Sequence, residues 1–209
     1  MRKSFGGKMK IVQGRVSRRA VIERYAKYDF EKKRKSETLP NFDTWNWSSA
    51  DAIDEELCRT GLKTGILAGY LSWDMVQVTI HDFRDCAVVS NIFSEQRHRQ
   101  LGIIEQNGGL TSWEGKIFQH LGTRQVPSWY DHIKRGKVLD ESAPFLLRPT
   151  VPCERPARWY VEDGSGRAVT FVANAKVFAP SDSVAIGYLG IEPDLTSTFM
   201  RTHFSELLR

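Results

Sequence analysis

Residues 156–175 carry the most constraining pattern in this chain, a short apolar and aromatic run followed at once by a glycine-rich turn. The run that ends at Val161 predicts a β-strand, and residues 163–166 (Asp-Gly-Ser-Gly) predict a tight turn. Residues from Arg167 onward fit a helix that begins on this turn. Such a turn can hold a phosphate, because N–H groups at a helix start point outward, glycines let an anion approach the backbone, and arginine offers a planar fork of donors.

The same residues also fit a simpler structure without a ligand. Asp-Gly followed by Ser-Gly is a good hairpin turn, and residues 169–172 (Val-Thr-Phe-Val) are strand-prone. Two paired strands would then flank the turn. The residues alone do not decide between a helix and a second strand after the turn.

The order of Asp163, Gly164 and Arg167 after a strand resembles the signature turn of the ParB/sulfiredoxin-like superfamily. Residues 144–149 (Pro-Phe-Leu-Leu-Arg-Pro) are similar to the strand that precedes the turn in that superfamily. The resemblance covers about residues 73–190. It implies a mixed α/β (α+β) domain, which the alternation of predicted strands and helices also indicates.

The turn departs from the catalytic members of this superfamily. Ser165 stands where sulfiredoxins carry a catalytic cysteine, and the residues between Gly164 and Arg167 are small, where the small-molecule kinases have histidines. Sulfinic-acid repair is therefore not expected, and we predict that none of the three cysteines is catalytic. The turn keeps the residues, Gly164 and Arg167, that the resemblance implies would hold a phosphate.

The resemblance implies a nucleotide-binding protein. Gly164, Ser165, Gly166 and Arg167 would hold the di- or triphosphate of ATP, ADP or CTP with Mg²⁺, and Arg148 would be a further phosphate contact. Asp163 would be the base or a Mg²⁺ ligand. The implied reaction is phosphoryl transfer to a small hydroxylated acceptor, or nucleotide hydrolysis, where positioning and charge neutralisation supply most of the catalysis.

A second group of candidate catalytic residues follows the predicted strand 73–80. His81 and Asp82 stand in a charged segment before a second predicted strand, 86–89. A carboxylate beside an imidazole can fix its tautomer and favour acid–base chemistry. The alternative is a charged hairpin turn between the two strands.

The positive charge of the chain is concentrated at its N-terminus. Residues 1–35 hold thirteen Lys or Arg and three acidic residues, whereas the whole chain has a net charge of +5. Such an arm can follow a nucleic-acid backbone, contact an acidic partner, or be solvated. A nucleic-acid-associated regulator or complex subunit is therefore the alternative function, and the arm is its expected contact.

Composition limits the remaining classes. With 209 residues and 41% hydrophobic content the chain can bury a core. We predict a basic helical arm and linker over 1–49 and an α/β domain over 50–209. Three widely spaced cysteines favour reduced thiols, and no metal-ligand cluster stands out. Neither a signal peptide nor a membrane span is evident, so we expect a cytoplasmic protein without a membrane partner.

The coarse order of elements completes the prediction. Residues 1–14 are expected to be flexible, and Trp45 and Trp47 to fix the linker to the body of the protein. A C-terminal helix over 195–208 presents an apolar face for the core or for a homo-oligomer. The other predicted elements are helices over 17–35, 50–60, 111–121 and 127–136, and strands over 145–147 and 184–188.

Overall fold

The computed structural model contains both strands and helices, which confirms a mixed α and β protein. The described residues are 9–33, 37–62, 65–88, 99–100, 144–152, 157–165, 167–168 and 184–208. Within this part of the chain, no helix combines the length and apolar character needed to cross a bilayer. The helices predicted over 111–121 and 127–136 lie outside the described residues.

Seven strands of the described chain form one sheet, in the spatial order β1-β2-β7-β5-β6-β3-β4. The strands are β1 (Lys10–Ser17), β2 (Tyr70–Thr79), β3 (Cys86–Val88), β4 (Arg99–Gln100), β5 (Phe145–Pro149), β6 (Trp159–Asp163) and β7 (Val184–Pro193). The helices are α1 (Arg18–Lys33), α2 (Ala50–Arg59), α3 (Gly65–Gly69), α4 (Ile80–Arg84) and α5 (Thr198–His203), with 3₁₀ turns at Phe42–Thr44 and Ser205–Leu208.

The chain divides into two compact units. Residues 1–12 and 76–187 form the first, here called the sheet unit, and residues 13–75 and 188–209 form the second, the helical unit. The strands β1, β2 and β7 each have residues in both units. The helical unit contains residues on both sides of position 49, where the sequence predicts the arm to end.

The N-terminal part of the helical unit is built on α1. Ser17 caps this helix, since its Oγ accepts from the Ala20 N–H at 3.3 Å. Val21, Tyr25 and Tyr28 recur at helical spacing and are buried, so this apolar stripe of α1 packs into the protein. The flexibility predicted for residues 1–14 is wrong for 10–14, because these residues belong to the edge strand β1.

The linker and α2 follow their local signals closely. Trp45 is buried and stacks on Trp47 with ring centroids 5.6 Å apart, and the Trp47 Nε1–H donates to the Phe42 carbonyl at 2.9 Å. The two tryptophans thus fix the linker, as predicted. Ser49 caps α2 by accepting from the Ala52 N–H, and Gly61 follows it with a left-handed φ of 71°.

The C-terminal segment differs from the predicted helix over 195–208. β7 extends beyond Tyr188 to Pro193, and Asp194 then accepts hydrogen bonds from the Thr196 N–H at 3.0 Å and hydroxyl at 2.6 Å. This turn delays the helix until Ser197 caps it by accepting from the Met200 N–H. The helix therefore covers only Thr198–His203, and its Met200 is buried.

Close packing at glycines explains how the helical unit is assembled. A Cβ on Gly65 would lie 2.5 Å from the Phe199 ring, and one on Gly69 would lie 2.6 Å from the Met200 sulfur. Both glycines belong to α3, so α3 and α5 approach closely there. The apolar face of α5 is thus used inside the unit.

We expect Gly190→Ala to destabilise the helical unit. An alanine Cβ would lie 2.7 Å from Cγ, Cδ1 and Cδ2 of the buried Tyr70 ring. Overpacking of this kind costs about 1–3 kcal/mol. The matched control is Gly14→Ala, whose nearest contact, Asp74 Oδ1 at 3.5 Å, is ordinary. Urea unfolding of both variants provides the test, and equal midpoints would contradict this packing.

Two carboxylates tie the start of α5 to the rest of the helical unit. The Thr198 N–H and hydroxyl both donate to Asp51 at 2.8 Å, and these bonds lower the pKa of the Asp51 carboxyl. Burial opposes ionisation of Asp194, but hydrogen bonds from Thr196 and Arg18 outweigh it, so the pKa of Asp194 is also lowered. Burial instead raises the pKa of Asp54, one turn beyond Asp51.

The stability of the protein should fall as the pH drops below about 4. The Asp51 carboxyl loses its proton more readily in the folded protein, because its pKa is lowered there. Its contribution to the free energy of unfolding is therefore present above its unfolded pKa and is lost as the pH falls through its folded pKa. Asp51→Asn should flatten this acid dependence. Asp54→Asn should steepen it, because the raised pKa of Asp54 has the opposite sign. Thermal unfolding between pH 2 and 7 measures both, and identical slopes would refute the assignment.

Candidate functional site

The glycine-rich turn lies at the junction of β6 and a helix. β6 ends at Asp163, Gly164 has a left-handed φ of 93°, and Ser165, Arg167 and Ala168 are helical. The Ala168 N–H donates to the Gly164 carbonyl at 2.8 Å, which closes the first helical turn. The strand-turn-helix order predicted from the sequence is therefore confirmed up to Ala168.

The sheet order explains why the hairpin alternative fails here. β6 lies between β5 and β3, antiparallel to the first and parallel to the second. Both edges of β6 are thus occupied, so a strand returning from the turn has no free edge of β6 to pair with. The strand-prone residues 169–172 lie outside the described residues, as does Gly166.

A register shift in the β5–β6 ladder precedes the turn. Leu147 pairs with Val161, whereas the adjacent Leu146 pairs with Asp163, so Glu162 is the extra residue of a bulge. Bulges bend a strand and change the direction of its side chains. Here the bulge places two consecutive carboxylates, on Glu162 and Asp163, against two different arginines.

Arg167 is buried, with 6% of its side chain exposed. Its Nη2 donates to the Pro144 carbonyl at 3.1 Å and lies 3.3 Å from Asp163 Oδ2. Its guanidinium carbon is 4.5 Å from the centre of the Phe145 ring. The sequence predicts that this arginine offers its donors to a phosphate. The structure instead shows it bound to the start of β5 and the end of β6.

Gly164 is required for this packing. A Cβ at this position would lie 2.5 Å from Phe145 Cδ1 and 2.9 Å from Arg167 Nη2. The residue also has a φ that side chains with a Cβ rarely adopt. The guanidinium of Arg167 therefore lies next to Gly164, on the side of the turn that packs against the Phe145 ring.

Arg148 is held by a second ion pair in the same unit. Its side chain is 2% exposed, its Nε donates to Glu162 Oε1, and its Nη1 donates to the Pro149 carbonyl at 3.0 Å. The guanidinium carbon lies 4.2 Å from the centre of the Tyr160 ring. A buried charge is tolerated only when it is paired in this way. Arg148, on β5, is thus linked by its ion pair to Glu162 on the neighbouring strand β6.

The segment that contains His81 and Asp82 forms α4, so the predicted hairpin turn is wrong. β2 and β3 are not neighbours in the sheet, since β2 lies between β1 and β7. Asp82 is buried, and its Oδ2 accepts from the Thr79 N–H at 2.8 Å and hydroxyl at 2.7 Å. The bond from the Thr79 N–H and a reciprocal bond, from the Asp82 N–H to Thr79 Oγ1 at 3.3 Å, form a capping box, which accounts for the carboxylate without catalysis. His81 is exposed.

The residues at the turn do not fit a magnesium site built from protein ligands alone. The carboxylate of Asp163 faces the guanidinium of Arg167, which already supplies a positive charge. Within the described residues, no three His, Cys, Asp or Glu side chains converge.

Three contributors to this arrangement are missed by sequence reasoning. Phe145, the Pro144 carbonyl and Glu162 all contact or pair with the predicted arginines. The sequence does contain a signal for Glu162. It is one of two successive acidic residues before Gly164, and the chain offers two arginines, Arg148 and Arg167, to pair with them. No local signal identifies Phe145, because its contact with Arg167 spans 22 positions of chain.

Comparison with known proteins found no match to this chain among family models, curated proteins or solved structures.

We expect Gly164→Ala to destabilise the sheet unit by about 1–3 kcal/mol, because it adds both a backbone penalty and a clash with Phe145. The adjacent Ser165→Ala removes only a hydroxyl that donates to the Val161 carbonyl at 3.2 Å. It should cost about 1 kcal/mol or less. Chemical denaturation of the two variants tests this difference, and an equal or smaller loss for Gly164→Ala would contradict it.

Proposed function

We propose that this chain is a nucleotide-binding protein that holds a di- or triphosphate at the Gly164–Arg167 turn. The observation that carries the proposal is the left-handed Gly164 between a strand end and a helix start, with the buried guanidinium of Arg167 beneath it. The proposal includes a ParB/sulfiredoxin-like fold for the sheet unit and a cytoplasmic location.

Two physical effects support an anion at this turn. Backbone N–H groups at the start of a helix point away from the helix and favour negative charge. Arg167 adds a positive charge in a buried position, where salt screens it less than at the surface, and Asp163 offsets part of that charge. A multiply charged phosphate chain gains most from both effects.

We propose roles for the predicted residues that take their described contacts into account. The backbone of the turn would contact phosphate, and Arg167 would act mainly through its charge, because its Nη2 already donates to the protein. Arg148 would hold β5 and β6 together instead of contacting phosphate. Ser165 would contribute its N–H and a small side chain.

Chemistry after binding would depend on a carboxylate at the turn. Asp163 is the carboxylate adjacent to the turn, so it is the candidate base for phosphoryl transfer or hydrolysis. Asp82 is engaged in a helix cap and His81 is exposed, so neither is needed for the proposed binding. An ATP- or CTP-dependent transfer to a small hydroxylated acceptor rests on the family resemblance.

The alternative, nucleic-acid binding by residues 1–35, receives less support from the described side chains. Arg18 pairs with Asp194 at 2.8 Å, Arg19 pairs with Glu23 at 2.6 Å and with Asp43, and Lys27 lies 4.0 Å from Glu31. Much of the positive charge on α1 is therefore balanced by protein carboxylates. A homo-oligomer through the C-terminal helix is likewise less favoured, since α5 packs against α3.

Calorimetric titration with ATP, ADP, CTP and tripolyphosphate tests the proposal. Ser165→Asp places a negative charge at the turn but suits a helix start, so the fold should be kept while binding weakens by about tenfold or more. Ser165→Asn is the neutral control of similar shape and should bind within a few-fold of wild type.

No binding by the wild type, or equal affinities for the aspartate and asparagine variants, would refute the proposed site. Deletion of residues 1–35 is not a valid test of the alternative, because buried residues of α1 would be lost with it.

A further inference from the structure

The outer edge of β1 is open for pairing with another strand. Among the described strands only β2 lies beside β1, so β1 ends the sheet on that side. Residues 10–15 are all exposed, and Val16 is the one buried residue of the strand. An edge strand presents a row of backbone N–H and C=O groups to its surroundings. β1 therefore offers a template for one more strand.

The regular part of this edge is residues 10–14, which span about 17 Å at the rise of a β-strand. Arg15 has a left-handed φ of 52°, and its N–H donates to the Asp74 side chain, to Oδ1 at 3.1 Å. A residue in this conformation interrupts the ladder. A strand bound to β1 would therefore pair with about five residues.

Apolar side chains lie in the middle of the edge. Ile11 is 56% exposed and Val12 is 48% exposed. Successive side chains of a strand point to opposite faces, so each face of the sheet has one exposed apolar side chain here. Edge strands are commonly protected by charged residues, proline or a bulge. In β1 the charges stand at positions 10 and 15, and the residues between them are uncharged.

The charges at the two ends of the edge are positive and unpaired. Neither Lys10 nor Arg15 has a carboxylate partner among the residues that the structure describes. The next two arginines, Arg18 and Arg19, both have one. In the sequence, residues 1–22 hold seven Lys or Arg and no Asp or Glu. A segment bound along this edge would therefore gain from carboxylates at its own ends.

We propose that the outer edge of β1 binds an extended, acidic segment of a partner protein as an additional strand. The backbone of residues 10–14 supplies the hydrogen bonds, Ile11 and Val12 contact apolar side chains of the segment, and the two end charges favour carboxylates. This surface contains no residue of the Gly164–Arg167 turn. The inference is therefore independent of nucleotide binding.

Two other occupants fit the edge less well. Two copies of β1, paired antiparallel with their ends aligned, would place Lys10 opposite Arg15, and like charges directly opposite each other are destabilising. A nucleic acid would balance the positive charge. Its phosphate oxygens only accept hydrogen bonds, however, so the carbonyl groups of the edge and the side chains of Ile11 and Val12 would gain no partner.

The experiment is a fluorescence-anisotropy titration of the labelled peptide Glu-Val-Thr-Val-Thr-Val-Glu with the full-length protein. This peptide should bind saturably with a Kd below about 1 mM. A peptide with lysine in place of both glutamates should bind at least about fivefold more weakly. The acidic peptide N-methylated on its three central residues should also bind at least about fivefold more weakly, because it keeps the charge but loses backbone donors.

Two variants of the protein test the contribution of charge. Lys10→Gln should weaken binding of the acidic peptide about two- to fivefold. The matched control is Lys27→Gln, which removes one positive charge from an exposed residue of α1 and should change the affinity by less than about 1.5-fold. Circular dichroism verifies folding of both variants. Amide hydrogen exchange locates the peptide, and the slowed amides should be those of residues 10–14.

Several results would overturn the inference. These are no saturable binding of the acidic peptide up to about 1 mM, equal binding of the N-methylated peptide, an equal loss in Lys27→Gln, or slowed exchange elsewhere than residues 10–14. A dimer of the protein alone that slows exchange at these residues, detected by sedimentation equilibrium, would show that a second copy occupies the edge. Stronger protection of the same amides by a single-stranded DNA oligonucleotide than by the peptide would favour a nucleic acid, and either result contradicts the inference.

Discussion

The buried guanidinium of Arg167 is the interaction on which the sheet unit depends most. It joins three pieces of backbone: the end of β6 through Asp163, the start of β5 through the Pro144 carbonyl, and the helix to which it belongs. It also covers the Phe145 ring, which leaves space above it only for a residue without a Cβ. Glycine at position 164 follows from that packing as much as from its backbone angle.

Buried ion pairs occur in both units, and several basic side chains are neutralised by them. Arg148 and Arg167 each meet a carboxylate of β6, and Arg18 meets Asp194 while donating to the Ala68 carbonyl at 2.7 Å. A desolvated arginine needs such partners, since an unpaired charge in this environment is costly. In each described case, the cationic side chain has a structural use inside the protein.

Local sequence signals account for the helix caps and for the presence of most described strands. Ser17, Ser49 and Gly61 each act at the helix end that their residue type favours. The C-terminal helix was predicted too long because Asp194 and Ser197 offer the backbone competing hydrogen bonds, and a helical apolar pattern does not reveal these.

The site could be predicted only in part, because its geometry depends on contacts distant in sequence. The strand, the turn and the helix start at Gly164 follow from nearby residues. The burial of Arg167 requires β5 beside β6, and the loss of the hairpin alternative requires β3 on the other side. Glu162 reaches Arg148 because a bulge shifts the register, and the alternation of side chains along a strand does not predict that.

The proposed binding of polyphosphate by the backbone of the Gly164–Arg167 turn is tested most directly by a ¹H–¹⁵N NMR titration of the full-length protein with tripolyphosphate, which reports on each amide separately. We expect saturable shifts centred on the amides of Ser165, Gly166 and Arg167, with the Arg167 Nε–H signal moving in step. Shifts confined to α1, or none at the turn at saturating ligand, would contradict it.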